Sequence, residues 1–125
     1  MRNSRPISKI IWEAYFRTAT NSMITRVVGA GPHIGIYRIT NLLDGKCYVG
    51  QSVDIAERFR QHIKCGLGID TPNNILYKAM LQDGVENFAF EVLEECERSQ
   101  LNTQEIYWID YYKSQNFGYN MNKGG

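Results

Sequence analysis

The stretch Ile34-Gly35-Ile36-Tyr37-Arg38-Ile39-Thr40-Asn41-Leu42-Leu43-Asp44-Gly45-Lys46-Cys47-Tyr48-Val49-Gly50 decides the fold. Its first part, Ile34–Thr40, is rich in β-branched and aromatic residues and reads as a strand. Asn41–Gly45 contains Asp44-Gly45, a pair favoured where the backbone must take positive φ. Lys46–Gly50 then reads as the return strand, so the stretch predicts an antiparallel hairpin.

Downstream, Asp54 is placed to cap a helix from Ile55 to about Lys64, with Ile55, Phe59 and Ile63 recurring every fourth position and Cys65-Gly66 closing it. Leu67–Pro72 reads as a loop. Asn73 or Asn74 caps a further helical segment, Ile75–Leu81, which stops by Gly84. Phe88, Phe90 and Val92 alternate with Ala89, Glu91 and Leu93, the pattern of a strand with one face buried. Ser99 is placed to cap a last helix, about Gln100–Tyr112, and Gly118-Tyr119-Asn120 follows it in a tail or turn. The order strand, strand, helix, helix, strand, helix predicts a mixed α/β domain of the α+β type, with a small, mainly antiparallel three-stranded sheet flanked by helices.

Upstream, Gly29-Ala30-Gly31-Pro32 reads as a flexible break that separates residues 1–33 from a domain over 34–125. Before the break, Ile7–Ala19 has near-helical apolar spacing, and Pro6 suits a first turn. Residues 1–34 carry Arg2, Arg5, Lys9, Arg17 and Arg26 against Glu13, whereas residues 35–125 carry nine basic and twelve acidic side chains. A basic, partly helical arm on a near-neutral body suggests contact with phosphates, with a solvated tail as the bland alternative.

The chain of 125 residues is long enough for one domain with its own core, and its 43% hydrophobic and 22% charged content is that of a globular protein. No apolar run approaches the roughly 18 residues of a membrane span. No secretory leader is visible, so a cytoplasmic or nucleoid-associated location is expected. Cys47, Cys65 and Cys96 are odd in number and lack the paired spacing of a zinc site, so they read as plain thiols.

Three features are left over by patterning. Glu105 shares a helix face with Leu101, Trp108 and Ile109, and a carboxylate in an apolar stripe is costly unless it meets a cation or donors. It reads either as a metal ligand on a cleft wall or as a flank residue paired with Lys or Arg. Arg58 and His62 stand i, i+4 on one helix and can point to one place. Arg offers a fork of donors for a phosphate, and His exchanges protons near neutral pH; a surface pair is the alternative. Tyr37 and Tyr48 lie one on each arm of the hairpin, among eight tyrosines that serve mostly as core or rim residues. No phosphate loop ending in Gly-Lys-Ser/Thr, no His-Glu-x-x-His and no Gly-x-Ser-x-Gly is present.

Gly35-Ile36-Tyr37, ten residues, then Tyr48-Val49-Gly50 resembles the signature of the GIY-YIG nucleases. Arg58 and His62 resemble the family's Arg-x3-His on the first helix. Glu105 resembles its helix-borne metal-binding glutamate, and Gly118-Tyr119-Asn120 its terminal Gly-Tyr-Asn. Asn73 to Ala79, continuing to Asp83-Gly84, resembles the middle helix and its stop. The resemblance covers about residues 34–125 and leaves the arm unexplained.

The resemblance implies the GIY-YIG fold and a DNA endonuclease, homing-type, whose site is Tyr37, Tyr48, Arg58, His62, Glu105 and Asn120. It implies Mg²⁺ on Glu105, with Mn²⁺ able to substitute, acting as Lewis acid and on the leaving 3′ oxygen. In this scheme Arg58 neutralises phosphorane charge. Tyr37 is general base or water orienter, its pKa lowered by a neighbouring cation or by Tyr48. His62 relays the proton or holds a metal-bound water, and Asn120 fixes Tyr37 or Glu105. Lys46 and Arg60, with Arg2, Arg5, Lys9 and Arg17 of the arm, are candidate DNA contacts. A restriction or repair enzyme, a non-catalytic nucleic-acid-binding module and a structural domain stay open as alternatives. The oligomeric state is open too, although a dimer on DNA suits a double-strand break. The end five residues after Asn120 suggests a minimal nuclease, an excised domain, or a grip through the arm.

Overall fold

The central strand is β1 (Gly35–Asn41), which pairs antiparallel with β2 (Cys47–Ser52) on one side and β3 (Phe88–Glu95) on the other. The structure is a computed structural model and describes residues 20–68 and 74–124. The hairpin forms as its sequence predicts. Gly45 takes φ 80°, its N–H donates to the Asn41 carbonyl at 2.7 Å, and the Asp44 carboxylate accepts from the Lys46 N–H at 2.9 Å.

Alternation along the strands sends side chains to two faces, each covered by helix. Tyr37 and Ile39 meet Phe59, Ile63, Leu76, Met80 and Phe90 in the larger core, which α2 (Ile55–Gly66) and α3 (Ile75–Asp83) cover. Ile36 and Val49 point the other way, to Leu101 and Ile109 of α4 (Leu101–Tyr112). The sheet is thus flanked by helices on both faces, as the order of elements predicts.

Local signals set most helix ends. The Asp54 carboxylate accepts from the Glu57 N–H, and the Asn74 side chain accepts from the Leu76 N–H at 2.8 Å, so of the two candidate caps Asn74 serves. α2 ends at Gly66, as expected, and Met80 and Val85 leave no room for a Cβ there. Ser99 is not a cap. A 3₁₀ turn, Arg98–Gln100, leads into α4, and Glu97 caps it while its own N–H donates to the Gln100 side chain at 3.1 Å. After α4, Lys113 in the left-handed region turns the chain into the single turn α5 (Ser114–Phe117).

A helix covers residues 20–28, which we label α1. Its Ile24 and Val28 are buried with Tyr37 and Phe59, so this part of the stretch expected as an arm packs into the core. The expected helix Ile7–Ala19, the candidate contacts Arg2, Arg5, Lys9 and Arg17, and most of the Leu67–Pro72 loop lie outside the described residues. Among the described residues no helix is long and apolar enough to cross a membrane.

Candidate active site

Tyr37 stands at the middle of β1, opposite Gly50 of β2, and is fully buried. That pairing explains the glycine. A Cβ on residue 50 would collide with the Tyr37 phenol and press on the Tyr48 ring, so only glycine lets the phenol lie across β2. Phe59 meets the Tyr37 ring edge-on at 5.2 Å, and the Tyr48 ring is tilted against it at 6.3 Å.

Held this way, the Tyr37 hydroxyl lies 2.6 Å from Nε2 of His62. The opposite ring nitrogen, Nδ1, lies 2.9 Å from the hydroxyl of Tyr77 on α3. His62 is 1% exposed, so it is not the outward partner of a surface pair but the centre of a buried phenol–imidazole–phenol chain. Arg58, one turn earlier on α2, is half-buried. Its guanidinium acts on the Tyr37 and Tyr48 hydroxyls as a nearby cation and donates to Gln61 at 2.8 Å.

These contacts fix the protonation states. Burial lowers the His62 pKa to about 3, helped by the nearby Arg58 cation, so the imidazole is neutral at any ordinary pH. Burial, with the neighbouring Tyr48, pushes Tyr37 well above the usual phenol range, while Arg58 pulls the other way. The lowered pKa expected for Tyr37 is therefore not found. The cation is present, but loss of solvent outweighs it, and Tyr48 adds to the rise rather than opposing it. Burial likewise raises Tyr48 and pushes Tyr77 up to about 12, in both cases against Arg58. For Arg58 burial disfavours the charge, but Tyr37, Tyr77 and Tyr48 outweigh it and hold the guanidinium more firmly protonated.

Glu105 reaches the same place from the opposite face of the sheet. It lines a cleft of about 300 Å³ with Tyr48, Asn74, Asn120 and Asn122, and its carboxylate accepts from Gln51 at 3.1 Å. The Tyr48 hydroxyl feels both the Glu105 and the Arg58 charge, so this phenol joins the two halves of the site. Asn120 binds neither Tyr37 nor Glu105, contrary to expectation. Its amide donates to the Val49 carbonyl at 2.9 Å and accepts from the Val49 N–H at 2.8 Å. The tail so caps the free edge of β2 between Tyr48 and Gly50 and holds both in place.

Asn74 also lines a second groove, with Glu57, Arg58, Arg60, Gln61, Lys64 and Tyr77. Arg60 lies here and donates to Asn21 of α1 at 3.0 Å, whereas Lys46 is exposed in the hairpin turn and lines neither part. Sequence reasoning missed Tyr77, Gln51 and Lys64. The Tyr77 position carries a signal: a tyrosine at the third place of a capped helix, on its inward face.

Among the described residues no three His, Cys, Asp or Glu side chains gather as metal ligands. Of the described residues lining the cleft, Glu105 is the one carboxylate, beside neutral oxygen donors. That donor set suits Mg²⁺, which keeps several waters and takes further oxygens from phosphate, and does not suit a tetrahedral zinc site.

Comparison with known proteins bears on this arrangement. The family model described as the GIY-YIG catalytic domain matches residues 33–120. Intron-associated endonuclease 1 of Enterobacteria phage T4 is 32% identical over 89 residues, which cover 70% of this chain and 36% of that protein. The chain thus spans about a third of that relative. Among solved structures, the catalytic domain of homing endonuclease I-TevI superposes with a TM-score of 0.64 at 32% identity, covering 71% of this chain and 98% of that one. A mutant of the catalytic domain of intron endonuclease I-TevI gives 0.62 at 28% identity, covering 74% and 97%.

Proposed function

The chain belongs to the GIY-YIG catalytic-domain family, and from that premise we propose that it is a divalent-metal-dependent endonuclease, homing-type, that hydrolyses DNA phosphodiester bonds at the cleft lined by Tyr48 and Glu105. The observation that carries the reading is the meeting of two opposed groups on one phenol. The Arg58 cation and the Glu105 carboxylate both act on the Tyr48 hydroxyl, although they come from opposite faces of the sheet. A phosphate seated against Tyr48 lies between a cation fit for its charge and a carboxylate fit for a metal.

Hydrolysis needs a proton acceptor for water, charge balance on the phosphate and help for the leaving oxygen. Glu105 would hold Mg²⁺ or Mn²⁺, which when bound supplies Lewis-acid activation and stabilises the leaving 3′ oxygen. Arg58 donates to the phosphate oxygens as negative charge builds. It is already oriented by Gln61, so little reorganisation is needed. Tyr37 is no resting phenolate, because its pKa is raised. It serves as base by taking a proton from water as its own proton moves to Nε2 of His62, 2.6 Å away. Tyr48 orients water or phosphate, and Asn120 acts at one remove by fixing β2. Arg60, Lys64 and the N-terminal basic residues supply backbone contacts to DNA.

One such site cuts one strand, so a double-strand break takes two copies or two sequential nicks. The test is incubation of supercoiled plasmid with purified protein and Mg²⁺ or Mn²⁺, with a chelator control. Metal-dependent nicking is the expected result. Salt-dependent DNA binding with no cleavage under any divalent ion refutes the enzyme reading and leaves a binding module.

A further inference from the structure

The buried chain does not end at His62. Tyr77, whose hydroxyl lies 2.9 Å from Nδ1, also lines the groove that holds Arg58, Gln61 and Lys64. It therefore links the innermost group of the site to the groove. We propose that Tyr77 is a positioning residue for the cleavage reaction: its hydroxyl accepts the Nδ1–H of His62, leaves Nε2 bare to take the Tyr37 proton, and passes a proton on to water in the groove. This inference rests on the nuclease reading above.

A neutral imidazole has one donor and one acceptor nitrogen, so the partner of Nδ1 decides what Nε2 can do. With Tyr77 donating toward the groove and accepting from Nδ1–H, Nε2 must accept from the Tyr37 hydroxyl. In the reverse arrangement Tyr77 donates to Nδ1, Nε2–H donates to Tyr37, and Tyr37 has nowhere to send its proton. In the productive state the steps balance. Water bonds to phosphorus as the bond from phosphorus to the 3′ oxygen breaks, the 3′ oxygen leaves with that electron pair, and the water gives a proton to the Tyr37 oxygen. The old Tyr37 O–H bond breaks as an Nε2–H bond forms, and Nδ1–H breaks as an O–H bond forms on Tyr77. The former Tyr77 proton goes to groove water. The imidazole ends neutral, which the site demands: a buried imidazolium would sit beside the Arg58 cation, faced by Tyr37 from β1, Tyr48 from β2 and Tyr77 from α3.

The test uses histidine-labelled protein and long-range proton–nitrogen correlation, with His33→Gln to assign the signals. The expected imidazole of His62 carries its proton on Nδ1 and moves it to Nε2 in Tyr77→Phe. The same variant should lose roughly 10- to 100-fold in kcat, with KM within about twofold and a changed pH–rate profile. A parent imidazole protonated on Nε2, or a Tyr77→Phe protein that cuts at the parental kcat with the parental profile, overturns the proposal. Should Tyr77→Phe not fold, 3,5-difluorotyrosine at position 77 keeps shape and hydroxyl with a more acidic phenol. A pH–rate limb displaced to lower pH supports the relay, and an unmoved limb overturns it. A parent that cuts no DNA refutes the nuclease reading instead, and the tautomer still decides the hydrogen-bond assignment.

Discussion

Lowering the pH from 7 to 5 should remove about 2 kcal/mol of folding stability through a single side chain, His62. In the folded protein burial, aided by Arg58, holds its pKa at about 3, against an ordinary 6.5 in the unfolded chain. Between those values the unfolded chain binds a proton that the folded chain refuses. The contribution is therefore complete above about pH 6.5 and is lost progressively as the pH falls toward 3. At pH 5 the unfolded group is about 1.5 pH units below its midpoint, which at roughly 1.4 kcal/mol per unit gives the figure above. His62 is 1% exposed, so solvent screening does not discount it. The other histidine, His33, works in the opposite sense. Its exposed ring bonds the Glu95 carboxylate, chiefly, and the Ala30 carbonyl, which raise its pKa, so its contribution is present at low pH and fades as pH rises. Urea unfolding at pH 5, 6 and 7 in a His33→Gln background isolates the His62 effect, and His62→Gln should abolish it. A His33→Gln protein whose stability stays flat from pH 7 to 5, or one that keeps the slope after His62→Gln is added, refutes the reasoning.

Gly50→Ala should destabilise by about 1–3 kcal/mol through overpacking. Because it displaces the Tyr37 phenol from His62, it should slow cleavage on the order of 100-fold; a thermal midpoint and a nicking rate both close to parental would contradict the close packing. Arg58→Ala should lose ~3–4 kcal/mol of transition-state stabilisation, seen in kcat/KM under single-turnover conditions. A loss below about tenfold removes Arg58 from the chemistry. Deleting residues 2–16 should weaken DNA binding and flatten its dependence on salt, whereas an unchanged salt slope makes those residues passengers. Extending the deletion through residue 28 removes Ile24 and Val28 from the core and should cost a further ~3–6 kcal/mol by denaturant unfolding.

What the sequence made legible was local. The hairpin was readable because Asp44-Gly45 dictates its turn, and α2 and α3 because Asp54 and Asn74 cap them. Tyr37, Tyr48, Arg58, His62 and Glu105 were readable as a set only through their resemblance to a family pattern. Spacing alone favoured a surface pair over a site for Arg58 and His62. What escaped depended on burial by distant chain. Residues 20–28 are followed by a Gly-Pro break that looks like a linker, yet Ile24 and Val28 fold back onto Tyr37. The sign of the Tyr37 shift was misread because a nearby cation is visible in a motif and lost solvent is not. Glu94 illustrates the same limit. Beside a register shift in the β1–β3 pairing, it accepts from Gln104 and from the Trp108 indole at 2.9 Å, and so pins α4 and with it Glu105. Ser99 lost to Glu97 as a cap because the Glu97/Gln100 pair satisfies two backbone groups at once.

The most direct measurement is cleavage of supercoiled plasmid by Glu105→Gln beside the parent protein, with Mg²⁺ titrated from zero, while DNA affinity and thermal midpoint are followed on the same samples. The parent should nick only with metal, and the variant should fold and bind DNA as the parent does and leave the plasmid intact. A variant that nicks at the parental rate, or a parent that nicks equally well in excess chelator, would contradict it.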